Sequence, residues 1–193
     1  MEQAIKFLES KSDIVTPRIL DLGTGSGCVA VSIAKNLKQS SVTALDISAL
    51  SLDVAKSNAK RHDVAHRIQF LNADIFKWLG PTHSEYGLFD LIISNPPYIP
   101  SDKLKSLPLD VQKEPVQALD GGPDGLSIIR HILTKSADHL TLDGALVMEI
   151  GDGQRPFIEK IFSAQTKFSD LKFIKDYVGT DRILLAFKKL PYA

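Results

Sequence analysis

Cysteine is nearly missing from this chain. Cys28 is the only one among 193 residues, so no intramolecular disulfide can form and a disulfide-stapled secreted framework is excluded. No apolar run approaches the roughly 18 residues that a membrane-spanning helix needs, and no basic, apolar, small-residue leader opens the chain. Charge of either sign is not in excess. Lysine plus arginine and aspartate plus glutamate number 23 each, and the basic residues are scattered, with short clusters only at Lys103/Lys105 and Lys188/Lys189. A duplex-binding domain carries a basic face, so this balance argues against non-specific nucleic-acid binding. Internal repeats, low-complexity tracts and linker-like stretches are absent too. These absences point to a reducing compartment, the cytoplasm, with an organelle matrix also open to a chain whose N-terminus reads as truncated. What is present, 44% hydrophobic and 24% charged residues, reads as one globular domain over 1–193, a monomer with a sizeable core and no membrane partner.

Short β-branched runs alternate with helical patterns, the signature of a parallel sheet covered on both faces. Strands are predicted at Arg18–Asp21, Val42–Leu45, Ile68–Leu71, Phe89–Ser94, Ala145–Ile150, Leu171–Tyr177 and Ile183–Phe187. Helices are predicted at Glu2–Glu9, Gly27–Asn36, Leu50–Arg61, Gly125–His139 and Gln154–Ala164. Ser48 is a natural N-cap for the third helix, and Leu52, Ala55 and Ala59 share one of its faces. The last two strands leave no room for a helix between them and should be antiparallel neighbours. The expected fold class is therefore α/β, a doubly wound, mostly parallel seven-stranded sheet with an antiparallel last strand. The stretch from Ile99 to Asp124 has no clear periodicity and is long for a connection in a compact domain.

That stretch begins at Asn95-Pro96-Pro97-Tyr98, where the fourth strand ends. An amide or exocyclic amine has its lone pair delocalised, so a site that alkylates such a nitrogen must hold it with hydrogen-bond acceptors. Asn95 and the Pro96 carbonyl can supply them. Pro96 and Pro97 stiffen the backbone and remove two N–H donors, and Tyr98 offers a ring to a flat group. Read alone, the tetrapeptide is equally a strand followed by a proline-rich turn.

The first strand runs into Asp21-Leu22-Gly23-Thr24-Gly25-Ser26-Gly27-Cys28, a loop whose glycines let backbone approach a ligand before a helix starts. Gly25 to Ala30 also fits the dinucleotide pattern, with Asp46 about 20 residues on at the ribose position, so NAD and S-adenosylmethionine both remain open on the loop alone. Asp21, Asp46 and Asp74 put a carboxylate at the ends of three consecutive strands. Three carboxylates suit a cofactor with an amine, a diol and an adenine amino group, and suit a pyrophosphate poorly. Cys28, just past the glycines, reads as a small buried side chain. His62 and His66 could share a helical face, but without a cysteine nearby they read as a solvated helix end, and no metal is expected.

The series Asp21 to Gly27, Asp46, Asp74 and Asn95-Pro96-Pro97-Tyr98 resembles the motifs of the seven-stranded class I, Rossmann-like methyltransferases that use S-adenosylmethionine. Glu114-Pro115 through Asp124-Gly125-Leu126, Glu149-Ile150-Gly151-Asp152-Gly153-Gln154 and Asp181-Arg182 narrow the resemblance to the HemK/PrmC family. That family methylates the side-chain amide of the glutamine in the Gly-Gly-Gln tripeptide of peptide chain release factors. The resemblance implies that Gly23, Thr24, Gly25 and Gly27 admit the methionine part of the cofactor. It also implies that Asp21 engages its amine, Asp46 its ribose and Asp74 its adenine, with Ile75 giving aliphatic packing where some relatives have an aromatic residue. Asn95 and Pro96 would orient the substrate amide, Tyr98 and the 99–124 loop would form wall and lid, and Glu149 would give polar support. The family's small upstream helical domain is expected to be missing, with Glu2 at the end of the motif that joins it. Two other readings stand beside this one: an N6-adenine or guanine-N2 methyltransferase on DNA or RNA, and a catalytically idle cofactor-binding subunit.

Overall fold

A computed structural model describes residues 1–11, 14–80 and 86–189. Its centre is a seven-stranded sheet in the order β3-β2-β1-β4-β5-β7-β6. The strands are β1 (Arg18–Leu22), β2 (Ser41–Asp46), β3 (Ile68–Asn72), β4 (Phe89–Ser94), β5 (Leu140–Glu149), β6 (Phe168–Lys175) and β7 (Asp181–Lys188). The first five run parallel, and β7 lies antiparallel between β5 and β6.

Side chains alternate across a strand, and here the alternation builds two cores. Leu20, Ile92, Leu146 and Met148 enter one cluster with α6 (Ser127–Lys135), α7 (Arg155–Ser163) and Trp78 of the short α4 (Ile75–Trp78). Ile19, Leu91, Ile93, Ala145 and Val147 enter the other with α1 (Glu2–Glu9), α2 (Cys28–Asn36) and α3 (Ala49–Arg61). Each fully buried leucine or isoleucine contributes roughly 1.5–3 kcal/mol, which makes the two-faced core the main source of stability. Ser48 caps α3 as the sequence suggests, its hydroxyl accepting from the Ser51 amide at 3.2 Å.

The elements differ from expectation in several places, the unpredicted α4 among them. The fourth predicted helix, Gly125–His139, is α6 followed by a 3-10 turn at Ser136–His139, and β5 starts at Leu140, five residues early. Phe89 pairs with Leu140 but Leu91 with Ala145, so Thr141–Gly144 bulge out, with Asp143 at φ 61°. The sixth strand begins at Phe168 and ends at Lys175. The 99–124 stretch holds two 3-10 turns and the four-residue α5 (Val116–Leu119).

Candidate active site

Strand order reverses between β1 and β4, and in an open α/β sheet ligands bind outside the carboxyl ends of the strands at such a point. Register fixes what stands there. Leu22 pairs with Ser94 and with Leu45, Ser94 with Met148, and Asp46 with Asn72. The next step along the edge therefore lines up Asn72, Asp46, Gly23, Asn95 and Glu149 in one row. Strands lie about 4.8 Å apart, so Gly23 and Asn95 are immediate neighbours. The Ser94 hydroxyl, donating to the Leu22 carbonyl at 2.8 Å, ties the two strand ends together.

The glycine loop is built from the residues singled out in the sequence. The amides of Gly23 and Thr24 donate to the Leu45 carbonyl at 2.8 and 2.9 Å, which bends the chain over the end of β2. Gly27 stands at φ 80°, and a Cβ there would lie 2.8 Å from the Ala55 methyl, so only glycine allows α2 to start this close to α3. Asn58 of α3 donates to the Ser26 carbonyl at 2.9 Å.

Asp21 is 2% exposed, on the β1 face that α2 covers, and accepts from the Thr24 hydroxyl at 2.6 Å. Burial pushes its carboxyl up to about 6; the Thr24 bond and the Ala30 amide offset part of this, and the Asp46 charge adds to it. A buried carboxylate in that condition gains most from a cationic partner. Asp46 is half-buried, its two oxygens accepting from the amides of Gly25 and Ser48, both at 2.8 Å. It therefore holds the loop in place while keeping a lone pair on each oxygen. Asp74 caps α4, accepting from the Phe76 amide at 2.9 Å. Ile75 reaches across from the end of β3, its Cδ1 3.8 Å from where a Gly23 Cβ would stand.

On the other side of the reversal Asn95 is exposed, Pro96 buried, and Pro97 and Tyr98 half-buried. The Tyr98 hydroxyl lies 3.5 Å from Glu149, at the outer limit of hydrogen bonding. Burial, then the Glu149 charge, holds that phenol above its ordinary value, with Arg182 acting in the opposite sense. The 99–124 loop is zipped at its base. The Ile99 amide donates to Leu119 at 3.0 Å, Gly121 to the Ile99 carbonyl at 2.8 Å, and the Ser101 hydroxyl to Asp120 at 2.7 Å. Its excursion is exposed and carries Leu109 and Val116 into solvent.

Cys28 is exposed, contrary to expectation. The buried face of α2 is Ala30, Val31, Ile33 and Ala34, and Cys28 falls on the opposite side of the helix. Sequence reading also passed over Asn72, whose amide donates to the carbonyls of Asp46 and Ile47 at 3.0 and 2.9 Å, and Ser94. Their only sequence signal is position: each is the last residue of a strand. Among the described residues no group of three or more His, Cys, Asp and Glu is arranged to hold a metal, and no helix is long and apolar enough to cross a membrane.

Residues 4–110 match the methyltransferase small domain family. The chain is 41% identical over 172 residues to a release factor glutamine methyltransferase from Moorella thermoacetica, covering 89% of this chain and 59% of that protein. It is 41% identical over 145 residues to a ribosomal protein uL3 glutamine methyltransferase from Bradyrhizobium diazoefficiens, covering 75% of this chain and 44% of that protein. The chain thus spans less than two thirds of the length of these relatives. Among solved structures, a methyltransferase from Pyrococcus furiosus superposes with a TM-score of 0.67 at 22% identity, covering 98% of this chain and 83% of that one.

Proposed function

Because the chain belongs to the methyltransferase small domain family, we propose that it methylates the side-chain amide nitrogen of a glutamine, that of the Gly-Gly-Gln tripeptide of a peptide chain release factor, using S-adenosylmethionine. The observation that carries this reading is the pairing of Leu22 with Ser94, which sets the glycine loop beside Asn95. A nucleotide-type loop and a pair of amide-orienting acceptors then share one crevice.

The residues present fit that cofactor. Asp21, buried with a raised carboxyl, would take the amino group directly or through water. Gly23, Thr24, Gly25 and Gly27 would admit the methionine part, the spare lone pairs of Asp46 would take ribose hydroxyls, and Asp74 with Ile75 would take adenine. The cofactor supplies an electrophilic methyl group on a sulfonium. Asn95, through its side-chain oxygen, and Pro96, through its carbonyl, would accept from the two amide hydrogens and so turn the nitrogen toward the glycine loop. Tyr98 would wall the planar group. No strong base is needed, because the alkylated amide is acidic and water at the exposed Asn95 takes its proton. An exposed acceptor kept at a buried strand end weighs against an idle subunit, and zero net charge weighs against a nucleic-acid substrate. The bacterial relatives support a cytoplasmic setting.

The test is to incubate the chain with S-adenosylmethionine and a purified release factor, with ribosomal protein uL3 in parallel, and to map added methyl by tandem mass spectrometry. Methyl on the Gly-Gly-Gln glutamine amide is expected. Methyl on uL3 alone would move the substrate to the ribosome, and transfer only to nucleic acid would overturn the reading.

A further inference from the structure

Gln154 ends the turn after β5, one residue before α7, and is 8% exposed. Its side-chain amide has one carbonyl oxygen and two N–H hydrogens, and all are engaged. The oxygen accepts from the Gly151 amide at 2.8 Å, and the nitrogen donates to the Tyr98 carbonyl at 3.0 Å and to the Gly125 carbonyl at 3.0 Å. One buried side chain thus joins the end of the Asn95–Tyr98 segment, the loop before α6 and the turn after β5.

Tyr98 packs on the core cluster, with Glu149 at its hydroxyl, and its backbone and one ring edge are crowded by glycines. A Cβ on Gly125 would stand 2.5 Å from the Tyr98 carbonyl oxygen, one on Gly121 2.8 Å from the Tyr98 Cα, and one on Gly151 3.0 Å from its ring. A β-carbon at any of these glycines would press on Tyr98, so Gln154 and three bare glycine backbones help to set its position, together with the core and the Ile99 backbone bonds.

We propose that Gln154 is a positioning residue for the Asn95–Tyr98 site. Two proline rings lie between the Tyr98 carbonyl and Asn95, each fixing its own φ, so few soft torsions can absorb a displacement of Tyr98. A shift at Gln154 is passed along a stiff rod to the Pro96 carbonyl and to Asn95. The carboxylates on the cofactor side, Asp21, Asp46 and Asp74, are held by bonds of their own that do not involve Gln154. This inference rests on the proposed glutamine methylation for its kinetic readout, and a second readout is independent of it.

The experiment uses the variants Gln154→Leu and Gln154→Glu of the whole chain. Gln154→Leu is expected to lower kcat about 100-fold, as misplacement on the scale of an ångström does, with the Kd for S-adenosylmethionine changed less than twofold. Gln154→Glu can still accept from Gly151 but sets a carboxylate against two carbonyls. It should be as impaired at pH 8 and regain activity relative to wild type as the pH falls, since a protonated glutamate donates one of the lost bonds. NMR of ring-labelled tyrosine should show the Tyr98 signals shifted or broadened in both variants, whatever the substrate. Unchanged kcat in a folded Gln154→Leu protein, equal losses in kcat and cofactor affinity, or an unaltered Tyr98 signal would each overturn the assignment. If the wild-type chain transfers no methyl to a release factor while Tyr98 still responds, the proposed function fails and the positioning role stands.

Discussion

Asp21, the proposed partner of the cofactor amine, would set function against stability at a single residue. Its carboxyl is raised from 3.8 to about 6, so between those values the folded chain holds a proton that the unfolded chain releases. Stability therefore falls as pH rises from about 4 to 6, and the full cost, on the order of 3 kcal/mol, is present above that window. Asp21→Asn keeps an acceptor for Thr24 and removes the charge. It is expected to raise Tm by roughly 3–8 °C at pH 7.5 and to leave it nearly unchanged at pH 4, as calorimetry would check. The same substitution should weaken S-adenosylmethionine binding at least tenfold by isothermal titration, and wild-type affinity should decline as pH drops through about 6, where the carboxylate is lost. Asn95→Ala tests the other side of the crevice. If Asn95 only orients the acceptor amide, kcat falls about 100- to 1000-fold and cofactor Kd stays within twofold; matched losses would mean that it shapes the loop instead.

Among the elements, α2 and α3 meet at Gly27 and Ala55, where one methyl leaves no space. Gly27→Ala combines a left-handed φ with a clash against the Ala55 methyl and should cost roughly 1–3 kcal/mol in urea unfolding with an unchanged slope. Cofactor affinity should drop with it, since the loop and α2 move together. The strands and long helices were legible because each is a periodic run bounded by turn residues. The start of β5 was not, because Asp143-Gly144 reads as a turn and in fact forms a bulge inside a strand. Helices α4 and α5 span only four residues each, too short for any periodicity to show. The carboxylates and Asn95 were legible because position at a strand's end is itself a signal. Gln154 was visible only as part of a motif, since its role depends on three segments distant in sequence meeting around one side chain.

For the molecule as a whole, equal numbers of acidic and basic residues predict weak, shallow salt dependence in macromolecular binding. Raising salt from 50 to 200 mM should change the KM for a release factor by less than about tenfold, whereas a nucleic-acid substrate gripped through its phosphates would lose 10³ or more. Steady-state kinetics at several salt concentrations would distinguish the two. The sheet order also governs when the crevice can come into being. The bond from Ser94 to Leu22 spans 72 residues, so docking β4 against β1 closes a long loop. Closing so long a loop is entropically slow, so on refolding from denaturant helical signal should return before the ability to bind cofactor, and a nascent chain emerging from the ribosome has no working site until β4 has been made.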